Sequence, residues 1–272
     1  MSTVLRPTRG WVAIDFGELI RFKDLLVQFA VRDVKLRYKQ TMLGVAWVVL
    51  QPLMAAGLLT FAFSIVAGLK VARTQYFLFT FAGLLAWNVF SWTLTKTSMS
   101  MVGNAYLVSK VYFPRLILPL SGCLSTLLDV VVSFSLMVVM FIAFRVPPGL
   151  ALFTLPIFVV LILCLALGIG LIAAAMTVDY RDVQHILPVL VPFLLYASPV
   201  AYEVSSLQPR YRAIFFIINP LASLIEGFRW SLLHTTPPPA AYVAWSAFVS
   251  IGLFVLGAAV FRRTERRAAD VI

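Results

Sequence analysis

The sequence predicts an all-α polytopic membrane protein. It has six transmembrane helices, an N-terminal amphipathic interface helix, and short re-entrant outer helices before the last span. Three observations predict this. The chain is 61% hydrophobic and only 12% charged, where a soluble domain is about half apolar and about a quarter charged. Six segments reach the roughly 20 mostly apolar residues that a spanning helix needs. Lysine and arginine collect between those segments with a bias to one side, as membrane topology requires.

The spans fall at about 42–69, 77–100, 116–144, 150–177, 185–203 and 241–261. The third and fourth exceed the minimum length, so tilt or protruding ends are expected. The fifth is the weakest, because Pro188, Pro192 and Pro199 interrupt it. Such prolines are tolerated where neighbours satisfy the freed carbonyls. Basic residues gather before span 1 (Arg6, Arg9, Arg21, Lys23, Arg32, Lys35, Arg37, Lys39), after span 2 (Lys110, Arg115), after span 4 (Arg181) and after span 6 (Arg262, Arg263, Arg266, Arg267). The opposite side carries Lys70, Arg73, Arg145, Arg210, Arg212 and Arg229. This bias puts both termini in the cytoplasm. The first twenty residues hold no apolar core or cleavage site, so targeting is expected from the first span.

Three segments follow from this reading. Residues 1–41 form a cytoplasmic N-terminal segment, 42–261 the transmembrane domain, and 262–272 a basic cytoplasmic tail. Within 19–39, helical periodicity sets Arg21, Asp24, Gln28, Arg32, Lys35 and Lys39 on one face and Leu19, Phe22, Leu26, Phe29 and Leu36 on the other. A basic amphipathic helix next to a span suits the headgroup plane and membrane lipids. Asp33 intrudes on the apolar arc, and Arg37 four residues later is expected to pair with it. Lys96, near the inner end of span 2, is expected to snorkel to the interface.

The net charge of +11 would point to nucleic acid in a soluble chain. Here topology explains it, and no nucleic-acid partner is expected. Cys123 and Cys164 lie inside apolar runs and read as small buried groups. The sequence has no GxxxxGK[ST] cradle, HExxH, GxSxG elbow or zinc-spaced Cys/His cluster. Enzymatic activity in this chain and a bound metal are therefore not expected, and energy must come from a partner or a gradient. Asp129 alone among the acids sits mid-span. It should face protein or water, either in a polar helix–helix contact or near a transport path. A gradient-driven carrier centred on Asp129 is one alternative function.

Three connections stand out. The short NAYLVSKVYFPR (Asn104–Arg115) offers Tyr106, Leu107, Val111, Tyr112 and Phe113 as apolar anchors, with Lys110 and Arg115 for charge, and Pro114 to stop the helix. The DYRD turn (Asp179–Asp182) is short and charged. The outer region 204–240 holds two apolar runs too short to span, broken at Asn219-Pro220. Glu226 and Arg229, three apart on one helix, are expected to neutralise one another.

Four stretches, taken together and in order, resemble a known family. They are RDVKLRYKQTMLGVAWVVLQPL (32–53), NAYLVSKVYFPRLILPLS (104–121), DYRDVQHILPVLVPFLLYASPVAYE (179–203) and INPLASLIEGFRWSLL (218–233). The chain resembles the membrane subunit of type-two ABC exporters that move lipid-linked polysaccharide such as O-antigen, capsule or teichoic acid. The resemblance implies a homodimer working with two copies of a separate ATPase subunit. No cofactor is then held by this chain, since ATP and Mg sit on the partner. It implies a coupling loop at 101–115, where Asn104, Tyr106, Leu107, Lys110, Tyr112, Phe113 and Arg115 meet the ATPase. The helix bearing Phe22, Leu26, Phe29, Arg32, Lys35 and Arg37 is expected to press on it from the side. Residues 204–240 become an outer gate that includes Asn219, Pro220, Glu226 and Arg229. Spans 1 and 5 line the channel, with Phe61, Phe63, Tyr196 and Tyr202 as aromatic candidates for sugar contact. A drug or lipid carried by the same kind of machine is the second alternative.

Overall fold

A computed structural model describes residues 16–39, 41–44, 46–62, 73–111, 113–147 and 149–271. Among these, regular structure is helical throughout. In chain order the helices are α1 (Phe16–Arg21), α2 (Lys23–Tyr38), α3 (Ala46–Thr60), α4 (Arg73–Ser98), α5 (Ala105–Lys110), α6 (Ile117–Ala143), α7 (Leu155–Asp179), α8 (Val183–Ala197), α9 (Pro209–Ile218), α10 (Pro220–Leu233) and α11 (Ala240–Val271).

Among the described residues, four helical segments are long and apolar enough to cross a membrane: Gln75–Ser98, Ile117–Ala143, Leu150–Asp179 and Ala240–Thr264. A bent pair, α9 and α10, is either a broken fifth span or a re-entrant loop, turning by 102°. The turn falls at Asn219-Pro220. Pro220 opens α10, at a position where its missing N–H costs nothing. The expected spans 1 and 5 appear as shorter apolar helices, α3 and α8. α8 has 15 residues and so measures about 22 Å, against a hydrocarbon core of about 30 Å; α3 has 15 residues, and residues 63–69 of the expected first span lie outside the described residues. Pro52 lies inside α3, and Pro188 and Pro192 inside α8. α10 stops where His234 turns left-handed at φ 54°. A ring nitrogen of that histidine lies 3.0 Å from the Pro147 carbonyl oxygen, which ties the turn to the α6–α7 connection.

α4 and α7 form the centre. Of the residues in their most apolar stretches, 78% and 67% are buried, against 28% for α6 and 22% for α11. The two inner helices are therefore wrapped by the others, while α6 and α11 keep apolar faces outward. Phe81, Leu85, Val89 and Leu94 of α4 meet Ile162 and Leu165 of α7, and Leu224, Ile225 and Phe228 of α10 close the same cluster. α7 packs most extensively on α11, and small residues explain why. A Cβ on Gly168 would collide with the backbone of Leu253 and Phe254, and one on Gly257 with the Gly168 carbonyl. Without side chains there, the two backbones approach closely, and dispersion forces replace the hydrophobic drive that lipid cannot supply.

A second cluster lies at the opposite end from α10. It joins Met101, Val108, Phe113, Leu116 and Ile117 to Leu171, Ala174, Ala258 and Phe261. Leu19, Phe22, Leu25, Leu26 and Phe29 pack on it, so the apolar arc of the N-terminal helix covers this end. Leu36, assigned to the same arc, instead stands exposed. Rather than touching only what lies beneath a headgroup plane, α2 also runs along α6. Phe29 lies near Phe113 just before α6, and Tyr38 bonds Asp129, which is 12 residues, about 18 Å, into that helix.

Candidate functional site

Charged and polar side chains converge at two places, one at each end of the molecule. At the α2 end, the Asp129 carboxylate is 2% exposed. Tyr38 donates to its Oδ1 at 2.9 Å and Lys96 to its Oδ2 at 3.1 Å. The Arg37 guanidinium also donates to Oδ2. Lys96 Nζ reaches Ser125 Oγ as well, at 2.8 Å. Burial, then the adjacent carboxylate, pushes the Tyr38 hydroxyl above its ordinary range, so the phenol stays protonated and keeps its donor.

This geometry corrects two local expectations. Arg37 does not pair with Asp33. Asp33 takes Arg32 at 2.8 Å, and Arg37 takes Asp129. Lys96 does not run out to the interface. Its ammonium turns onto α6, toward the buried acid. In both cases the reason is the same: a buried carboxylate left unpaired costs far more than an exposed ion pair returns. Asp129 itself lies in a polar helix–helix contact, one of its two anticipated settings.

Next to this node lies the connection between α4 and α6. Arg32 donates to Asn104 Oδ1 at 2.9 Å, and Asn104 Nδ2 donates to the Ser100 carbonyl at 3.0 Å. Phe29 meets Phe113 edge-on at 5.7 Å, and the Arg32 guanidinium sits 4.8 Å above the Phe29 ring. Phe113 is buried in the chain's own core, and Leu107 packs against the same cluster. Tyr106, by contrast, is 69% exposed, with Lys110 Nζ 4.4 Å above its ring. Val111 and Lys110 are exposed, and Arg115 is half-buried. Tyr112 lies outside the described residues. The α5 turn thus offers Tyr106, Lys110 and Val111 outward and turns Leu107 and Phe113 inward. Phe22, Leu26 and Phe29 are half-buried and Lys35 is exposed, as are Asp179 to Asp182 of the DYRD turn.

At the α10 end, Glu226 and Arg229 do not form the expected ion pair. Both bind backbone of the segment after α8. Arg229 is fully buried and donates to the carbonyls of Pro199 at 2.5 Å and Val200 at 3.1 Å. Its guanidinium lies 3.6 Å from the centre of the Phe79 ring. Glu226 accepts the Val204 N–H at 2.8 Å. Asn219 donates to the Ala197 carbonyl at 3.1 Å, and Tyr76 to the Ala201 carbonyl at 2.5 Å. Residues 198–204 lie outside regular α-helix, so their polar backbone needs partners. That need outweighs an i,i+3 pairing on α10. A Cβ on Gly83 would strike the Val200 carbonyl and Arg229, so α4 presents a glycine where this strap crosses it.

Among the aromatic candidates, Phe61 and Tyr196 are exposed, at 55% and 71%. Phe193, not singled out in the sequence, is 68% exposed one turn before Tyr196. Tyr202 is half-buried, edge-on to Phe215 at 6.4 Å. Phe63 lies outside the described residues. Tyr38, Tyr76 and Phe79 were missed, because nothing local marks a tyrosine or phenylalanine as the partner of a charge far away in sequence. Lys96 could have been matched to Asp129, since each is a charge on an apolar helix that needs an opposite one.

A model of the family described as ABC-2 type transporter matches residues 25–233, from early in α2 to the end of α10. The chain belongs to the ABC-2 type transporter family. This ABC-2 chain is 28% identical over 250 residues to an O-antigen export system permease protein, RfbA, of Klebsiella pneumoniae, covering 92% of this chain and 95% of the relative. It is 28% identical over 256 residues to RfbA of Myxococcus xanthus, covering 94% and 98%. It is 22% identical over 240 residues to the polysialic acid transport protein KpsM of Escherichia coli, covering 86% and 91%. The family match takes in the Asp129 node, the α5 turn, α8 and the α9–α10 hairpin. It makes the chain a multi-pass transporter component.

Proposed function

We propose that this chain is the membrane permease of an ATP-driven exporter that moves lipid-linked polysaccharide out of the cytoplasm. The observation that carries this reading is the near end-to-end likeness to O-antigen export permeases, reinforced by a more distant likeness to a polysialic acid transporter. Two relatives named for different glycans favour polysaccharide over a drug or a lipid as cargo. The Asp129 carboxylate is fully engaged by Arg37, Tyr38 and Lys96, which argues against an acid left open for a proton relay.

In this reading ATP and Mg bind a separate ATPase subunit, two copies of which work with two copies of this chain. The α5 turn, with Tyr106, Lys110 and Val111 outward, docks on that subunit as a short helix in a groove. Both termini are cytoplasmic, in the inner membrane, in keeping with the distribution of Lys and Arg. α3 and α8 complete six spans, and α9–α10 is a re-entrant hairpin on the outer side. Phe61, Phe193 and Tyr196 line the glycan path, since flat rings offer contact area without demanding one hydrogen-bond pattern. Deletion of the gene tests the proposal. Surface glycan should disappear while drug sensitivity is unchanged, and the plasmid-borne chain should restore it. Intact surface glycan in the deletion strain would overturn the assignment.

A further inference from the structure

α2 is held at two separate places. In its middle, Arg32 bonds Asn104 and Phe29 packs on Phe113, which ties it to the connection that carries α5. At its last turn, Arg37 and Tyr38 bond Asp129 of α6. Lys96 brings α4 to the same carboxylate, and to Ser125 one turn earlier on α6. Arg32 and Arg37 are five positions apart on unbroken helix, about 7.5 Å. A push on the α5 turn therefore meets a stiff rod whose far end is bonded to α6 and, through the shared Asp129 carboxylate, linked to α4.

The chemistry of the node is more demanding than packing needs. One carboxylate serves two cations and a phenol, so the group carries net positive charge in a largely buried place. Apolar side chains of similar volume would often hold three helices at least as firmly. What the charged set adds is direction. Each donor fixes a bearing on one of two oxygens, so α2, α4 and α6 take one relative position rather than sliding past one another.

We infer that Asp129 is a positioning residue through which α2 transmits motion of the α5 turn to α4 and α6. The inference rests on the proposed export function and adds to it the path taken by the force. Asp129 touches neither nucleotide nor cargo in this scheme; it keeps the stroke from dissipating as slippage of α2.

The test uses the complete transporter, this chain with its ATPase subunit, in liposomes of phosphatidylethanolamine and phosphatidylglycerol. Lipid-linked glycan extracted from the producing cells serves as cargo. Three quantities are read: ATPase co-purifying with the chain, ATP hydrolysed, and glycan moved per ATP. Asp129→Asn and Arg37→Gln should each leave the first two within about twofold and lower the third by about tenfold, a coupling loss of ~1.4 kcal/mol. The double variant should be no worse than the worse single one, because the two residues act as one unit. A merely structural role would lower assembly and hydrolysis together and leave the ratio alone. Should Asp129→Asn not accumulate, Arg37→Gln still reads the same link from its more exposed side.

Single variants with the wild-type ratio, or a double variant whose loss is the sum of the two, would overturn the inference. If the wild-type complex exports and these variants do too, the link alone fails. If the wild-type complex moves no glycan in the presence of ATP, the proposed function fails and the link with it.

Discussion

The Arg229 guanidinium lies face-on to the Phe79 ring, 3.6 Å from its centre, and is shut away from solvent on every side. Its Nη2 donates to two successive carbonyls, those of Pro199 and Val200. The flat guanidinium covers the ring while a single NH2 group serves both acceptors. Replacing it with lysine keeps the charge and a donor for the carbonyls but loses the flat contact with Phe79. Arg229→Lys should cost about 2 kcal/mol, the scale of a desolvated cation–π contact. A lower midpoint in thermal unfolding of the detergent-solubilised protein checks this; an unchanged midpoint would mean that the ring contact contributes nothing to stability.

Two glycines on the same helix separate close approach from mere tolerance. Gly257 faces the Gly168 carbonyl of α7, whereas a Cβ on Gly252 would meet nothing within 4 Å. Gly257→Ala forces α11 away from α7 and should cost about 1–3 kcal/mol, the usual range for overpacking. Gly252→Ala should fall within about 0.5 kcal/mol of wild type. Parallel melts of the two variants decide it, and equal midpoints would contradict the close helix contact.

The sequence carried the broad architecture because its signals are local. Apolar length announced α4, α6, α7 and α11, and Asn219-Pro220 announced the bend between α9 and α10. The partners of charged groups were not legible in the same way. Proximity along a helix suggested Asp33 with Arg37 and Glu226 with Arg229. The fold paired Arg37 with Asp129, 92 positions away, and gave Arg229 to carbonyls about 30 positions before it. A pairing rule based on helix spacing ranks exposed contacts worth a few tenths of a kcal/mol. Buried acceptors with several kcal/mol at stake outrank them, and sequence distance says nothing about those. The same limit applies to aromatic roles: Phe113 and Tyr106 look alike in the NAYLVSKVYFPR run, yet one is buried and the other exposed.

That difference gives a direct separation of packing from docking in the α5 region. Phe113→Ala removes a buried ring that packs against Phe29 and should destabilise the chain by about 3–5 kcal/mol. Tyr106→Ala leaves stability within about 0.5 kcal/mol, since its ring is mostly exposed. If Tyr106 docks on the ATPase, the same change should weaken co-purification of that subunit. Pull-down yield set beside thermal midpoint distinguishes them. A Tyr106→Ala chain that binds its ATPase at full strength would move the docking surface elsewhere.

The exposed rings of α8 offer the last test. Phe193 and Tyr196 are three residues apart and both stand well clear of the core, at 68% and 71% exposure. Lipid contact and glycan contact make opposite demands on them. A ring that only faces lipid can be exchanged for leucine at little cost, because both are apolar. A ring on which sugars stack loses its flat face in the same exchange. Tyr196→Leu together with Phe193→Leu should therefore lower glycan export by about tenfold, the equivalent of ~1.4 kcal/mol of lost contact, while Tyr196→Phe retains it. Assembly with the ATPase and ATP hydrolysis should hold steady in both variants. Export by the double leucine variant at the wild-type rate would assign this face of α8 to lipid or to a second copy of the chain, and the glycan path would have to run along other rings.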